Sequence, residues 1–106
     1  MNTLSPTELK RRLDAGESLV LLDVREPEEL AIASIEGART IPLGDLGSRH
    51  EELDPRLPTV CICHHGIRSA MAAESLKRLG FREVYNLTGG VDRWAVDVDP
   101  TMKRYR

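Results

Sequence analysis

The sequence has no long apolar run and no strong excess of charge of either sign. Its longest apolar stretches are the short segments LVLL and VCIC, far below the roughly 20 residues that a membrane-spanning helix needs. The amino-terminal stretch MNTLSPTELK contains no apolar signal region. With 15 basic and 17 acidic residues the net charge is -2, so no basic field favours nucleic acid. These absences predict a cytoplasmic protein that binds neither membranes nor nucleic acids.

Cysteine is scarce, because the chain contains only Cys61 and Cys63. Two cysteines in one segment do not form the disulfide framework of a small secreted domain. A bridge between positions i and i+2 of a strand would also distort the backbone. Cys63, His64, His65 and His50 lack the ligand spacing of a zinc site, since adjacent residues rarely ligate one tetrahedral ion. The sequence therefore predicts free thiols and no metal site.

The residues that are present have the composition of one globular domain, 106 residues long, 41% hydrophobic and 30% charged. Helix and strand patterns alternate along the chain. The predicted helices span residues 5–16, 26–37 and 68–80, with shorter helical segments within 43–53 and 89–97. The predicted strands span residues 18–24, 38–43, 58–63 and 82–87, and residues 1–4 are expected to add an edge strand. The polar carboxyl-terminal tail, residues 98–106, is expected to be partly disordered.

This alternation predicts an α/β fold, a small parallel sheet of about five strands flanked by helices on both faces. In such sheets, functional sites form beyond the carboxyl ends of the strands. Three short segments come directly after predicted strands: Asp23 with Arg25, residues 63–68, and Thr88 with Gly89 and Gly90. We expect these three segments to open on the same edge of the sheet.

The segment CICHHGIRSA, residues 61–70, has the features of a nucleophile loop. Cys63 leaves a buried strand, and a helix is predicted to begin near Arg68. A strand–loop–helix turn directs backbone N–H groups and the positive end of the helix at one point, where an anion is stabilised. A cysteine thiolate is such an anion. Gly66 lets the backbone curl tightly, and Arg68 adds a fixed positive charge. The pattern therefore indicates a nucleophilic cysteine.

The same residues also have structural interpretations. Cys63 alone could be a buried thiol at a strand end, and Cys61 sits among apolar strand residues, where burial is the usual role. His64 and His65 are typical of loop positions facing solvent. Asp23 and Arg25 could form a simple ion pair, and Gly89 could serve only the turn that it occupies.

Four motifs, taken together, resemble the single-domain rhodaneses, a family of sulfurtransferases. LLDVREPEEL resembles the first signature of the family, a strand that ends in D-V-R and is followed by a glutamate. IEGARTIPL is similar to its I-x-G-A-x-x-I-P segment, CHHGIRSA to its C-x-x-G-x-R-[ST] loop, and NLTGGVDRWA to its closing L-x-G-G-x-x-x-W signature. The resemblance covers about residues 4–96. Ser34 stands where many members carry a histidine, which is not the nucleophile.

The resemblance implies a five-stranded α/β fold and a persulfide mechanism without a metal or organic cofactor. Cys63 would take a sulfane sulfur from thiosulfate or a persulfide and pass it to cyanide or a thiol. The implied substrate-binding residues are His64, His65, Gly66, Ile67, Arg68 and Ser69, and the implied supporting residues are Asp23, Arg25, Thr88 and Gly89. A sulfur-carrier protein or a cysteine desulfurase is a further possible partner.

Two other function classes stay open at this point. The cell-cycle dual-specificity phosphatases resemble rhodaneses in fold, but their loop has the longer spacing C-x5-R, which makes room for phosphate. Here four residues separate Cys63 from Arg68, and this tighter loop favours sulfur transfer over phosphatase or arsenate chemistry. A rhodanese-like module used only for binding is the third class; such modules commonly lose the cysteine, which this chain keeps.

Overall fold

The first helix shows how closely local sequence controls the fold in the computed structural model, which describes residues 2–106. This helix, α1, spans Pro6–Asp14. The Ser5 hydroxyl accepts a hydrogen bond from the Glu8 N–H at 3.2 Å, and the Glu8 carboxylate accepts one from the Ser5 N–H at 2.8 Å. This reciprocal capping box, followed by proline in the first turn, confirms the predicted start of the helix.

All five strands belong to one parallel sheet. The strands are β1 (Asn2–Leu4), β2 (Val20–Asp23), β3 (Arg39–Thr40), β4 (Thr59–Ile62) and β5 (Val84–Leu87), in the order β1-β5-β4-β2-β3. The other helices are α2 (Pro27–Ile32), α3 (Leu46–Arg49, between two 3-10 turns), α4 (Ile67–Arg78) and α5 (Gly90–Asp97). The predicted edge strand is present, although Met1 lies outside the described residues. Within residues 2–106, no helix combines the length and apolar character that crossing a membrane requires.

Helices cover both faces of the sheet, as the alternating pattern predicts. On one face, Cys61 and Leu22 are buried in a cluster with Ala72 and Leu76 of α4. On the other face, Val60 and Ile62 of the same central strand join a cluster that includes Leu9 of α1 and Trp94 of α5. Successive residues of a strand point to opposite faces, so the apolar segment VCIC is buried from both sides.

The second helix ends earlier than predicted, at Ile32 instead of Gly37. Ala33 is extended, with φ -163° and ψ 145°. Its carbonyl accepts a hydrogen bond from Arg25 Nη2 at 2.8 Å. The buried Arg25 guanidinium thus donates to a carbonyl that lies just past the last turn of α2. This contact accompanies the early end of the helix.

The carboxyl-terminal tail is packed against the domain, which corrects the expectation of partial disorder. Met102 and Tyr105 lie against the apolar cluster under α1 and α5. Arg104 donates to both carboxylate oxygens of Asp92 at 2.9 and 3.0 Å. Two apolar contacts and a bidentate ion pair therefore bring the tail beside the carboxyl edge of the sheet.

Candidate active site

The three predicted segments meet at the carboxyl edge of the sheet. The N–H of Val24 donates to the Ile62 carbonyl at 2.9 Å, which joins the exit of β2 to that of β4. The N–H of Val91, in the first turn of α5, donates to the Cys63 carbonyl at 2.9 Å. The loop after β4 therefore lies between the exit of β2 and the start of α5.

The Cys63 sulfur is held inside the loop that connects β4 to α4. Gly66 has φ 102°, a left-handed conformation that suits glycine, and its N–H points back at Cys63 Sγ at 3.0 Å. The Ser69 hydroxyl, in the first turn of α4, lies 3.2 Å from the same sulfur. Cys63 is only 1% exposed. The start of a helix, a loop amide and a hydroxyl thus surround the sulfur, an arrangement that stabilises negative charge on it.

Asn86 of β5 forms hydrogen bonds to this loop and to the first turn of α4. The Ser69 hydroxyl donates to Asn86 Oδ1 at 2.5 Å, and Asn86 Nδ2 donates to the Gly66 carbonyl at 3.0 Å. A hydroxyl has one proton to give. Because that proton points to Asn86, the Cys63 thiol donates to the Ser69 oxygen while the sulfur is protonated. A thiolate at Cys63 would accept the Ser69 proton only after the hydroxyl had rotated away from Asn86.

We expect Asn86→Ala to change the reactivity of the Cys63 thiol and to destabilise the protein. The change leaves Ser69 and the Gly66 carbonyl without their partner in a buried site, which costs roughly 1–3 kcal/mol. Denaturant unfolding measures that cost, and the alkylation rate of Cys63 measures the effect on the loop. The exposed Asn2 in β1 provides the control, because Asn2→Ala removes the same group from the surface. Equal effects of the two substitutions would contradict the bridging role of Asn86.

Cys61 is unsuited to the same chemistry. Its side chain is fully buried in the cluster beside α4, and burial raises the pKa of its thiol to about 12. Both Cys61 and Cys63 are free thiols in the structure. Cys61 therefore stays protonated near neutral pH and acts as a small apolar core residue.

Arg68 forms an ion pair with Glu29 of α2. Arg68 Nη1 and Nη2 donate to the two oxygens of the Glu29 carboxylate at 2.6 and 2.8 Å. The hydrogen bonds to Arg68 hold the pKa of Glu29 at about 2, against the opposing effect of its partial burial. The guanidinium pKa is raised by the same contact. Both groups are therefore charged at neutral pH, and the cation of the loop is compensated.

Asp23 and Arg25 form a fully buried ion pair behind the loop. Arg25 Nη2 and Nε donate to Asp23 Oδ2 and Oδ1 at 2.7 and 2.9 Å, and both side chains are completely inaccessible to solvent. The remaining guanidinium nitrogen, Nη1, donates to the Tyr105 hydroxyl at 3.0 Å. Buried charges need such a full set of partners. The pair connects β2 to α2 and to the carboxyl-terminal tail.

Tyr105 lies against the active-site loop. Its ring stacks on the His64 ring with centroids 3.8 Å apart, and its carbonyl is 2.8 Å from His64 Nε2. Its hydroxyl donates to Glu29 Oε2 at 2.7 Å. Burial lowers the pKa of His64, which is largely enclosed, whereas His65 is exposed. The two histidines of the loop therefore have different surroundings, and His64 has a packing contact with the tail.

The remaining predicted residues differ in their exposure and in their contacts. Ile67 begins α4 and is 74% exposed. Thr88 is also exposed, and its N–H donates to the Leu4 carbonyl on β1 at 2.9 Å. The backbone nitrogen of Gly89 packs close to Gly66. The supporting role of Thr88 and Gly89 stays a prediction.

A cleft of about 470 Å³ lies on the side of α1 and α5 and is lined by residues such as Lys10, Trp94 and Met102. Cys63 is not among the residues that line it. In residues 2–106, no three His, Cys, Asp or Glu side chains converge as a metal site would require.

Three residues of this site were not singled out from the sequence. Asn86 carried a signal, because it is a polar residue inside an otherwise apolar strand pattern. Glu29 lies four residues after the D-V-R segment, in a stretch that also contains Glu26 and Glu28, so the sequence alone did not distinguish it. Tyr105 carried no signal, since it lies in a charged tail without periodicity and its partners are distant in sequence.

Comparisons with known proteins agree on one family. The family model of the rhodanese-like domain matches residues 5–97 of this chain. A rhodanese-like domain protein from Staphylococcus aureus has the same fold, with a TM-score of 0.86, 26% identity and full coverage of both chains. Thiosulfate sulfurtransferase GlpE of Pseudomonas putida is 34% identical over 89 residues, which are 84% of this chain and 81% of that protein.

Some relatives are much longer than this chain. A protein of Mycobacterium tuberculosis, named probable adenylyltransferase/sulfurtransferase MoeZ, is 39% identical over 106 residues. The match covers 98% of this chain but only 27% of that protein. The chain thus spans about a quarter of the length of this relative, so the activities of the whole relative do not transfer to it.

Proposed function

The chain belongs to the rhodanese-like domain family, and we propose on this basis that it is a sulfurtransferase that carries sulfane sulfur as a persulfide on Cys63. The observation that carries the proposal is the position of the Cys63 sulfur. It lies at the exit of β4, 3.0 Å from the Gly66 N–H and 3.2 Å from the Ser69 hydroxyl, at the amino end of α4. The relatives described above at 39% and 34% identity carry sulfurtransferase in their names.

Sulfur transfer at this site has two displacement steps. In the first, the Cys63 thiolate attacks the sulfane sulfur of the donor, and the sulfur–sulfur bond of the donor breaks. Sulfite leaves from thiosulfate, or a thiolate leaves from a persulfide, with the electron pair of that bond. In the second step, cyanide or a thiolate attacks the outer sulfur of the Cys63 persulfide. The thiolate of Cys63 leaves with the electron pair and is regenerated.

The loop residues have separate tasks in these steps. The Gly66 N–H and the Ser69 hydroxyl stabilise negative charge on the Cys63 sulfur, both before attack and as the leaving group. The outer sulfur of the persulfide would be held by backbone amides of residues 64–69. A sulfur-carrier protein or a cysteine desulfurase is a further candidate for the donor or the acceptor.

The phosphatase alternative is less well supported. A phosphate in the loop would need both a wider ring of amides and the positive charge of Arg68. Here only four residues separate Cys63 from Arg68, and the guanidinium is bound by both oxygens of Glu29. A role restricted to binding has no observation in its favour, since the cysteine and its hydrogen-bonding partners are all present.

Mass spectrometry of the intact protein tests the proposal. After incubation with thiosulfate or with cysteine persulfide, we expect a gain of one sulfur atom, located on the peptide that contains Cys63. Cyanide or dithiothreitol should remove the added sulfur. A protein that is folded but takes up no sulfur from either donor would refute the proposed function.

A further inference from the structure

The positively charged Arg68 of the active-site loop is already paired with a carboxylate of the protein. Arg68 is the cationic residue of the segment 63–69, and both of its terminal nitrogens donate to the carboxylate of Glu29. A bidentate pair of this kind is among the stronger charge-assisted contacts. A substrate anion that approaches Arg68 must therefore compete with a carboxylate that the protein itself supplies.

Two contacts besides the Arg68 pair hold the Glu29 carboxylate in this position. Oε2 accepts a hydrogen bond from the Tyr105 hydroxyl at 2.7 Å, and Oε1 accepts one from the Glu26 N–H at 3.2 Å. The Tyr105 hydroxyl is itself fixed by Arg25 Nη1 at 3.0 Å. Because the tyrosine ring also stacks on His64, the orientation of Glu29 is coupled to the loop.

The other arginines near the loop are compensated in the same way. Arg25 pairs with Asp23 in full burial, and Arg104 pairs with Asp92, whose N–H donates to the His64 carbonyl. Each of these three pairs carries no net charge. A dianionic donor therefore gains little attraction here, because opposite charges cancel each other's field at short range.

We propose that Glu29 determines the class of sulfur donor, by neutralising Arg68 so that the persulfide of a small thiol is preferred to thiosulfate. This inference rests on the proposed function. A persulfide carries at most one negative charge on its reacting sulfurs, whereas thiosulfate brings a charged sulfonate to the same place. With a persulfide donor, the thiolate of Cys63 attacks the outer sulfur. The bond between the two donor sulfurs breaks, and the donor leaves as a thiolate with that electron pair.

The test compares two variants that change the net charge equally. Glu29→Gln releases Arg68, while Glu28→Gln removes a carboxylate from the adjacent, exposed position of α2. The measured quantity is the second-order rate constant of Cys63 loading, obtained by rapid quenching and intact-mass spectrometry, with thiosulfate and with cysteine persulfide. We expect Glu29→Gln to raise the ratio of thiosulfate to persulfide rate constants about tenfold, through tighter thiosulfate binding. Glu28→Gln should leave the ratio unchanged.

Tyr105→Phe provides a second variant. It keeps the Glu29 carboxylate but removes the hydroxyl that orients it, so the ratio should rise by a smaller factor, about two- to threefold. A ratio that stays at the wild-type value in a folded Glu29→Gln protein would overturn the inference, as would a wild-type preference for thiosulfate. Either result leaves sulfur loading of Cys63 intact, whereas loading from neither donor would refute the proposed function itself.

Discussion

We expect Cys63→Ser to lower sulfur transfer at least about a thousandfold, the scale seen when a catalytic nucleophile is removed. A serine hydroxyl cannot form a persulfide, and it is a far weaker nucleophile than a thiolate. The substitution keeps the size of the side chain and leaves the Gly66 N–H with an acceptor, so the fold should persist. Loss of sulfur uptake in a folded protein would then report on chemistry alone.

Cys61→Ser is the matched control for this experiment. Cys61 lies two residues earlier, inside β4, and is buried in the same apolar cluster. The Gly66 N–H and the Ser69 hydroxyl, however, contact the Cys63 sulfur. With a thiol pKa raised by burial to about 12, Cys61 supplies almost no thiolate at neutral pH. We expect this variant to keep most of the transfer rate and to lose some stability, because a hydroxyl is buried in an apolar cluster. Retained transfer in Cys63→Ser, together with loss in Cys61→Ser, would reverse the assignment.

Elements whose cause lies within a few residues could be predicted from the sequence. The start of α1 follows from the capping box of Ser5 and Glu8. The end of α4 follows from Gly80, which adopts φ 93° two residues after the last helical residue. The sheet followed from buried strands alternating with helices, and the edge that carries Cys63 followed from the geometry of parallel strands.

Features that depend on distant partners could not be predicted in this way. The early end of α2 accompanies a hydrogen bond from Arg25, whose guanidinium is buried by the surrounding fold. The tail has the sequence of a polar, unstructured segment. Its Tyr105 hydroxyl nevertheless forms hydrogen bonds to Arg25 and Glu29, which lie 80 and 76 positions away in sequence. Arg68 was recognised as a charge of the loop, but its compensation by Glu29 depends on where α2 packs. Such contacts leave no periodic signal in the chain.

The second large effect is expected at Gly90, the first residue of α5. Gly90 has φ 60°, and a Cβ atom placed there would lie 2.2 Å from the Cys63 carbonyl oxygen and 2.4 Å from that of His64. Both clashes are with backbone, so the start of α5 would have to move away from the loop. That movement would break the bonds from the N–H groups of Val91 and Asp92 to these two carbonyls.

We therefore expect Gly90→Ala to destabilise the protein by roughly 3 kcal/mol or more, from strain at positive φ together with the clash. The folded fraction should load sulfur about a hundredfold more slowly, since displacements near 1 Å cost that much at a reacting centre. Gly80→Ala is the matched control: its φ is 93°, but its added Cβ would meet nothing within 4 Å. We expect about 1 kcal/mol of backbone strain there, and little loss of transfer. Denaturant unfolding and Cys63 loading rates measure both variants. Equal behaviour of the two alanine proteins would show that close contact between α5 and the loop is not what positions the nucleophile.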